Sequence, residues 1–164
     1  MGKTDDMLSA AYELVEDGQF DDALNLYNSV IKLEPTNIAA LIDKGVTLHN
    51  MGRLKSAIKC YDKSLELSPG NVDALVNKGS ALHGLGKYSD AIACYDLALQ
   101  YDKRCAMAIA YKGLALGELG KISDALKHFK KALSIDKEYD LAQISKEMAQ
   151  DLLKAIKSAK TKTQ

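Results

Sequence analysis

The stretch GKYSDAIACYDLAL, residues Gly86–Leu99, decides the fold because the chain contains four versions of it. The version 34 residues earlier is Gly52–Leu65, GRLKSAIKCYDKSL, and the version 34 residues later is Gly120–Leu133, GKISDALKHFKKAL. The first version is Gly18–Ile31, GQFDDALNLYNSVI. A fixed period of this length, without insertions, indicates an array of stacked repeats.

The period divides residues 4–139 into four units, 4–37, 38–71, 72–105 and 106–139, whose positions we number from 1 to 34. Every unit has a small residue at position 8, glycine at 15, alanine at 20 and an aromatic residue at 24. Apolar residues recur at helical spacing on both sides of position 15, which predicts two amphipathic helices per unit. No segment alternates for long enough to predict a strand.

Small and special residues have predicted roles in this arrangement. The glycine at position 15 suits the left-handed residue that ends a helix. Gly45 leaves room for a close helix approach, and Tyr61 is predicted to fill that space. Pro35 and Pro69 end the second helix of their units, and the asparagines at positions 37 and 71 suit helix N-caps.

Residues 140–159 predict a ninth helix with a wide apolar stripe, followed by a flexible tail at 160–164. In the repeat register, the edge formed by Ala142, Ala149 and Leu153 faces the fourth unit. Ile144, Met148 and Leu152 are then left on the concave side. The stripe is wider than a capping helix needs.

The pattern over residues 4–139 resembles the tetratricopeptide repeat, although position 4 lacks tryptophan and the last two units lack the proline at position 32. The resemblance implies an all-α fold, a right-handed superhelical solenoid of four helix-turn-helix units plus a C-terminal capping helix. We expect residues 1–159 to form one domain. The resemblance also implies a non-catalytic adaptor that holds a peptide segment of a partner protein in its concave groove.

By the same resemblance, ligands face positions 2, 5, 6, 9, 12 and 13, which we call the ligand-facing rows. In this chain they form an apolar floor surrounded by acidic, histidine and amide groups, which suits a peptide with apolar anchors and some basic character. The candidate groove residues are Tyr12, Ile42, Asp43, Val46, His49, Asp73, Val76, Asn77, His83, Met107, Tyr111 and Leu114.

One subset of the family grips the C-terminal carboxylate of chaperones with Lys, Asn and Arg side chains. The required positions read Leu8, Tyr12, Asp43, Asp73 and Asn77 from the first unit, and Ile42, Val46, Asn77, Met107 and Tyr111 from the second. Only Asn77 matches, and only in the second register. A chaperone-tail ligand of that type is therefore not expected.

Self-association is the alternative function. The stripe of Ile144, Met148 and Leu152 could enter the groove of another molecule or pair with its own copy, giving a homodimer. Residues 1–37 hold eight acids and two bases, whereas residues 38–164 hold 14 acids and 20 bases. The acidic end could meet the basic end of a second copy, or could simply be a solvated surface.

Composition argues against several other functions. The 22 acidic and 22 basic residues balance, so neither nucleic acid nor a membrane surface is an expected partner. Three cysteines without a CxxC motif or a signal peptide favour a reducing, cytoplasmic setting. Cys60 and Cys94 are interpreted as small, mostly buried apolar side chains, with a disulfide or metal site as the minor alternative.

No catalytic motif stands out, so no enzyme activity and no cofactor are expected. The sequence lacks GxSxG, HExxH, GxxxxGKS/T and GxGxxG. His49 and His83 share position 12 and could form a pH-sensitive or metal-binding pair. No third ligand follows in that row, so we expect two polar groove residues and no metal.

Overall fold

The computed structural model describes residues 2–162, and this part of the chain contains nine helices and no strand. Two helices form each repeat, and the ninth follows the fourth repeat. The predicted all-α helical-repeat fold is confirmed. The helices are α1 Lys3–Glu16, α2 Phe20–Leu33, α3 Ile38–Asn50, α4 Leu54–Leu67, α5 Val72–Gly84, α6 Tyr88–Tyr101, α7 Ala106–Glu118, α8 Ile122–Ile135 and α9 Asp140–Lys162.

The glycine at position 15 ends the first helix of each repeat with a positive φ, as predicted. Gly52 has φ 73°. Its N–H donates to the carbonyl of His49, and the N–H of Arg53 donates to the carbonyl of Leu48, both at 2.8 Å. These two bonds satisfy carbonyls that the end of α3 would leave unpaired.

In repeats 2 and 4, the aromatic side chain at position 24 requires glycine at position 8. A Cβ at Gly45 would lie 2.5 Å from the Tyr61 ring, and a Cβ at Gly113 would lie 2.7 Å from the Phe129 ring. Nonbonded atoms do not approach this closely, so any larger side chain at this position would clash with the ring. Glycine therefore lets the two helices of the repeat pack closely. The predicted fit of Tyr61 against Gly45 is confirmed.

Side-chain caps begin the first helix of repeats 2 to 4. Asn37 Oδ1 accepts from the N–H of Ala40 at 2.9 Å, and Asn71 Oδ1 accepts from the corresponding N–H of α5 at 2.8 Å. In repeat 4 the acceptor is Cys105 Sγ, which lies 3.5 Å from the N–H of Ala108. A thiol is a weaker acceptor than an amide oxygen, so α7 has the weakest of these three caps.

In the turns that leave repeats 3 and 4, lysine stands at the proline position and an aspartate precedes it. Asp102 Oδ1 accepts from the N–H of Arg104 at 2.9 Å, and Asp136 Oδ1 accepts from the N–H of Glu138 at 3.1 Å. Each is a local side-chain turn of the kind that aspartate favours. These turns, which lack proline, thus have hydrogen bonds of their own.

A row of lysines at position 7 connects successive repeats. Each lysine reaches position 25 of the preceding repeat. Lys78 and Lys112 pair with aspartates, and Lys44 bonds to an asparagine. The Nζ-to-oxygen distances are 2.6 Å for Lys44–Asn28, 2.6 Å for Lys78–Asp62 and 2.5 Å for Lys112–Asp96.

Close contacts divide the chain into two units. Unit 1 contains α1 to α5 and ends at Leu85, and unit 2 begins at Gly86 and contains α6 to α9. The boundary therefore lies in the turn of the third repeat. Tyr27 and Tyr61 belong to the core of unit 1, and Ile109 and Phe129 belong to the cores of unit 2. One domain over residues 1–159 stays a prediction.

Helix α9 packs on the fourth repeat through small residues, as predicted from the register. Ala142 is buried with Ile109, and Ala149 is buried with Phe129. The helix begins at Asp140 as expected but continues to Lys162, into the segment predicted to be a flexible tail. Residues 163 and 164 lie outside the described part of the chain.

The buried hydroxyl of Tyr61 has no hydrogen-bond partner among the described residues. The corresponding hydroxyl of Tyr27 bonds to the side chain of Thr47, at position 10 of the next repeat. The residue equivalent to Thr47 in the repeat after Tyr61 is Ala81, which belongs to the same core. An unpaired buried hydroxyl lowers stability.

We predict that Ala81→Thr stabilises the protein relative to Ala81→Val by about 1 kcal/mol, because only threonine gives Tyr61 a partner. Valine is the matched control, since it has nearly the same shape without the hydroxyl. Urea unfolding of both variants measures the difference. Equal midpoints for the two variants would contradict this account of the Tyr61 hydroxyl.

Candidate functional site

The ligand-facing rows of unit 1 combine apolar and polar side chains on α1, α3 and α5. Tyr12 on α1 is 64% exposed, an unusual exposure for so large a side chain. Ile42 and Val46 on α3 are half-buried and rest on the unit 1 core. Together these three side chains give the surface of unit 1 an accessible aromatic ring and two partly accessible aliphatic groups.

Asp43 lies on the same helix and is exposed as a whole residue. The surrounding atoms nevertheless desolvate its carboxyl and raise its pKa. No base forms an ion pair with Asp43 within residues 2–162. The ionised carboxylate is therefore held in a less favourable environment than water, which a cation would improve.

The other candidate residues of unit 1 differ in how much of their surface a ligand can reach. Asp73 is exposed, whereas His49, Asn77 and His83 are half-buried. Desolvation lowers the pKa of His49, so its imidazole is neutral at pH 7. Val76 is only 3% exposed, so this side chain belongs to the core and offers a ligand little surface.

In unit 2 the candidate residues lie on α7. Met107 is 47% exposed, and Leu114 is half-buried against a unit 2 core. Tyr111 is half-buried, with its ring centroid 6.0 Å from that of Tyr95 at an interplanar angle of 56°. Its hydroxyl also bonds to that of Tyr139, whose pKa burial raises to about 12. Tyr111 is thus held in an aromatic cluster, while Met107 is open to solvent.

An apolar pocket of about 420 Å³ lies between α7, α8 and α9. Its wall includes Leu114, Gly117 and Phe129 from the fourth repeat and Met148 and Leu152 from α9. A Cβ added at Gly117 would meet only the Ala125 Cβ, at an ordinary 3.9 Å. The missing side chain therefore leaves space, and we call this cavity the Gly117 pocket.

One residue in the sequence indicates this pocket, although the repeat pattern alone did not predict a cavity there. Position 12, which carries His49 and His83 in the two middle repeats, is Gly117 in the fourth. Only the packing of α9 across the fourth repeat turns that missing side chain into a cavity. Of the ten wall residues, only Leu114, Met148 and Leu152 belong to the predicted site residues.

Helix α9 exposes an apolar row along its length. Ile144 is 57% exposed and Met148 is 69% exposed, and Leu152 and Ile156 continue the row at four-residue intervals. We call these four residues the α9 stripe. Met148 and Leu152 also line the Gly117 pocket, so the stripe and the pocket form one surface of unit 2.

Chemical sites are not evident elsewhere in residues 2–162. Cys60, Cys94 and Cys105 are half-buried and form no disulfide. Within the described residues, no cluster of three or more His, Cys, Asp or Glu side chains could hold a metal ion. No helix in that range combines the length and apolarity that crossing a membrane requires.

Comparison with solved structures identifies similar helical-repeat proteins. The crystal structure of MamA protein is 25% identical with a TM-score of 0.77, covering 90% of this chain and 81% of that one. The first TPR of Spaghetti (RPAP3) bound to the HSP90 peptide SRMEEVD is 25% identical with a TM-score of 0.68, covering 71% and 92%. MamA from Desulfovibrio magneticus RS-1 is 19% identical with a TM-score of 0.76, covering 99% and 98%, a likeness of fold.

Comparison at the level of sequence gives the family. No curated protein sequence matches the chain. Three models of the tetratricopeptide repeat match residues 14–66, 72–105 and 112–139. These matches cover parts of all four repeats defined by the 34-residue period. The chain therefore belongs to the tetratricopeptide repeat family, whose members are in general non-catalytic protein–protein interaction modules.

Proposed function

We propose that this chain binds a peptide segment of another protein through the ligand-facing rows of its first helices. The observation that carries the proposal is the accessible Tyr12 ring, which occupies the same repeat position, 9, as Val46. A similar protein, the first TPR of Spaghetti (RPAP3), is bound to a peptide. No catalytic role is proposed for any residue.

Apolar anchors would supply most of the affinity. Tyr12 offers an aromatic face, and aromatic residues commonly dominate the binding energy of protein interfaces. Ile42 and Val46 are already supported by the core, so a ligand that covers them need not order mobile side chains. The surface suits a ligand with at least one large apolar side chain.

A basic residue in the ligand would improve the environment of Asp43. Its carboxylate is desolvated and unpaired in the described residues, and a nearby Lys or Arg would favour its charged form. Asp73 adds a second exposed carboxylate on α5. We therefore infer that preferred ligands place a base beside an apolar anchor.

A random peptide display library tests this site. Tyr12→Ala should weaken binding of the selected peptides about tenfold or more, because it removes an aromatic anchor. Tyr101→Ala is the matched control, since Tyr101 is also a strongly exposed tyrosine, 56%, but lies at the end of a second helix. Fluorescence anisotropy measures both variants. Equal affinity for wild type and Tyr12→Ala would overturn the assignment of the site.

Asp43→Asn should raise stability and lower ligand affinity together. In the folded chain the Asp43 pKa is raised, so the stability it contributes is present at low pH and is lost as pH rises through the folded pKa. The asparagine side chain carries no charge at any pH, so the variant does not lose this stability as pH rises. We expect a higher melting temperature at pH 7, with the difference shrinking as pH falls toward the ordinary carboxyl range.

The same variant should weaken binding of selected peptides that contain Lys or Arg. Asp73→Asn provides the control for stability, since it makes the same change at another exposed aspartate of the ligand-facing rows, on α5. Thermal unfolding at several pH values and anisotropy give the two measurements. A lower melting temperature for Asp43→Asn at pH 7 would contradict the desolvation argument.

A chaperone tail is not proposed as the ligand. A clamp for a C-terminal carboxylate needs bases, whereas this chain has Leu8 and Asp73 at two of the positions concerned in one register and Met107 at one of them in the other. The peptide SRMEEVD is acidic and would meet Asp43 and Asp73. We expect no detectable binding of SRMEEVD by calorimetry, with the similar Spaghetti (RPAP3) domain as positive control. Binding at micromolar affinity would contradict this.

Self-association is the second candidate function, because the α9 stripe exposes large apolar side chains in a continuous row. Continuous exposed apolar surface of this kind usually marks an interface. A homodimer built on Ile144, Met148 and Leu152 would not use the ligand-facing rows of unit 1. Both functions could therefore belong to one molecule. The cytoplasmic location stays a prediction.

A further inference from the structure

A cationic cavity of about 340 Å³ lies between α2, α3 and α4 of unit 1. Lys44, Arg53 and Lys59 line it, and no carboxylate lies in the part of the wall that the structure describes. The buried side chains of Leu24 and Leu48 contribute the apolar part of the wall. We call this cavity the Arg53 pocket. None of its wall residues belongs to the ligand-facing rows, so it is a separate candidate site.

The charges of the three cations are not neutralised within the chain. Among residues 2–162, no carboxylate forms an ion pair with any of them. Lys44 Nζ donates to Asn28 Oδ1 at 2.6 Å, which satisfies a hydrogen bond but leaves the charge uncompensated. Burial raises the pKa of the Cys60 thiol in the same wall, and the positive charge of Lys44 acts in the opposite direction. The charge of Lys44 therefore acts inside the pocket.

Other repeats have aspartates where this pocket has neutral side chains. Position 25 is Asn28 here, whereas repeats 2 and 3 have Asp62 and Asp96, each paired with the lysine of the following repeat. Position 19 is Ser56 here, whereas the other three repeats have aspartate. The Arg53 pocket thus lacks both acids but keeps its cations. An anion from outside the chain would supply the missing negative charge.

A phosphate group matches this wall better than a carboxylate does. A phosphate monoester carries nearly two negative charges at neutral pH and has three strong acceptor oxygens, whereas a carboxylate carries one charge on two oxygens. The Arg53 guanidinium can donate two parallel hydrogen bonds to phosphate oxygens, and the ammonium groups of Lys44 and Lys59 act as point charges. The Ser56 hydroxyl and the Asn28 amide nitrogen add neutral donors.

We propose that the Arg53 pocket binds the phosphate group of a phosphate monoester through Lys44, Arg53 and Lys59. This inference does not depend on either function proposed above, because the pocket shares no residue with the ligand-facing rows or the α9 stripe. A phosphorylated side chain of a partner protein and a small phosphate compound both present this group. Since Arg53 and Lys59 are exposed, we expect a dissociation constant of roughly 0.1–10 mM for the phosphate group alone.

A chemical-shift titration of the ¹⁵N-labelled chain with acetyl-phosphoserine amide, at constant ionic strength, tests the site. We expect saturable shifts of the backbone amides of Arg53 and Ser56. Acetyl-glutamate amide is the matched carboxylate probe, and it should bind about tenfold more weakly because it offers less charge and fewer acceptors. Equal affinity for the two compounds, or no saturable shift at these amides, would overturn the proposal.

Asn28→Asp is the sharpest variant, because it restores the aspartate of repeats 2 and 3 and removes no cation. It should give Lys44 an ion pair and weaken binding of the phosphoserine compound about tenfold or more. Unchanged affinity in this variant would contradict the argument from the missing acids. Circular dichroism melts verify that the variant is folded.

A pair of lysine variants separates the pocket from general surface charge. Lys59→Gln should weaken binding of the phosphoserine compound about tenfold, because it removes a cation from the wall. Lys63→Gln is the matched control, since Lys63 is exposed on the same helix but lies outside the wall, and it should change the affinity by only about twofold. Equal losses in the two variants would overturn the pocket as the site.

Selection from a library of phosphoserine peptides identifies the source of the phosphate group. Peptides that bind about tenfold or more tightly than acetyl-phosphoserine amide, and that lose this gain with Asn28→Asp, would identify a phosphorylated protein segment. Saturable binding without any gain from flanking residues would instead identify a small phosphate compound. Failure of all phosphate binding would overturn this inference and leave the ligand-facing rows of unit 1 unaffected, since the two sites share no residue.

Discussion

The fit of an aromatic ring into the space above a glycine is the contact on which the packing of repeats 2 and 4 depends. Gly45 has no room for a Cβ because the Tyr61 ring already occupies that volume, and Gly113 stands in the same relation to Phe129. This contact sets how closely the two helices of a repeat approach each other. It thereby determines which side chains are left to pack against neighbouring helices. It also explains why size at positions 8 and 24 varies so little between repeats.

Much of the fold could be predicted because its determinants are local or strictly periodic. The turn glycines, the caps at Asn37 and Asn71, and the burial of Ala142 and Ala149 all follow from single positions or from helical register. Contacts between successive repeats were harder to predict. The lysine row joins residues 16 positions apart, and its significance appears only when the helices are stacked.

The candidate site was predicted less completely, because position within a helix does not determine exposure. Ile42 and Val76 both occupy position 5, yet Ile42 is half-buried and Val76 is in the core. The Gly117 pocket depends on an absent side chain and on α9, which departs from the repeat consensus. The repeat pattern predicts which side chains pack in the core, but it does not predict the cavities between helices.

The lysine row also gives the junctions between repeats different responses to ionic strength. Lys78 and Lys112 each face an aspartate, so added salt weakens these contacts by screening attraction. At the junction of α8 and α9 the equivalent positions hold Lys130 and Lys146, and Lys146 donates to Gln143 of its own helix instead. Rising ionic strength thus weakens the contacts of Lys78 and Lys112, whereas the equivalent position on α9 holds a lysine bonded to a neutral amide, which salt affects less.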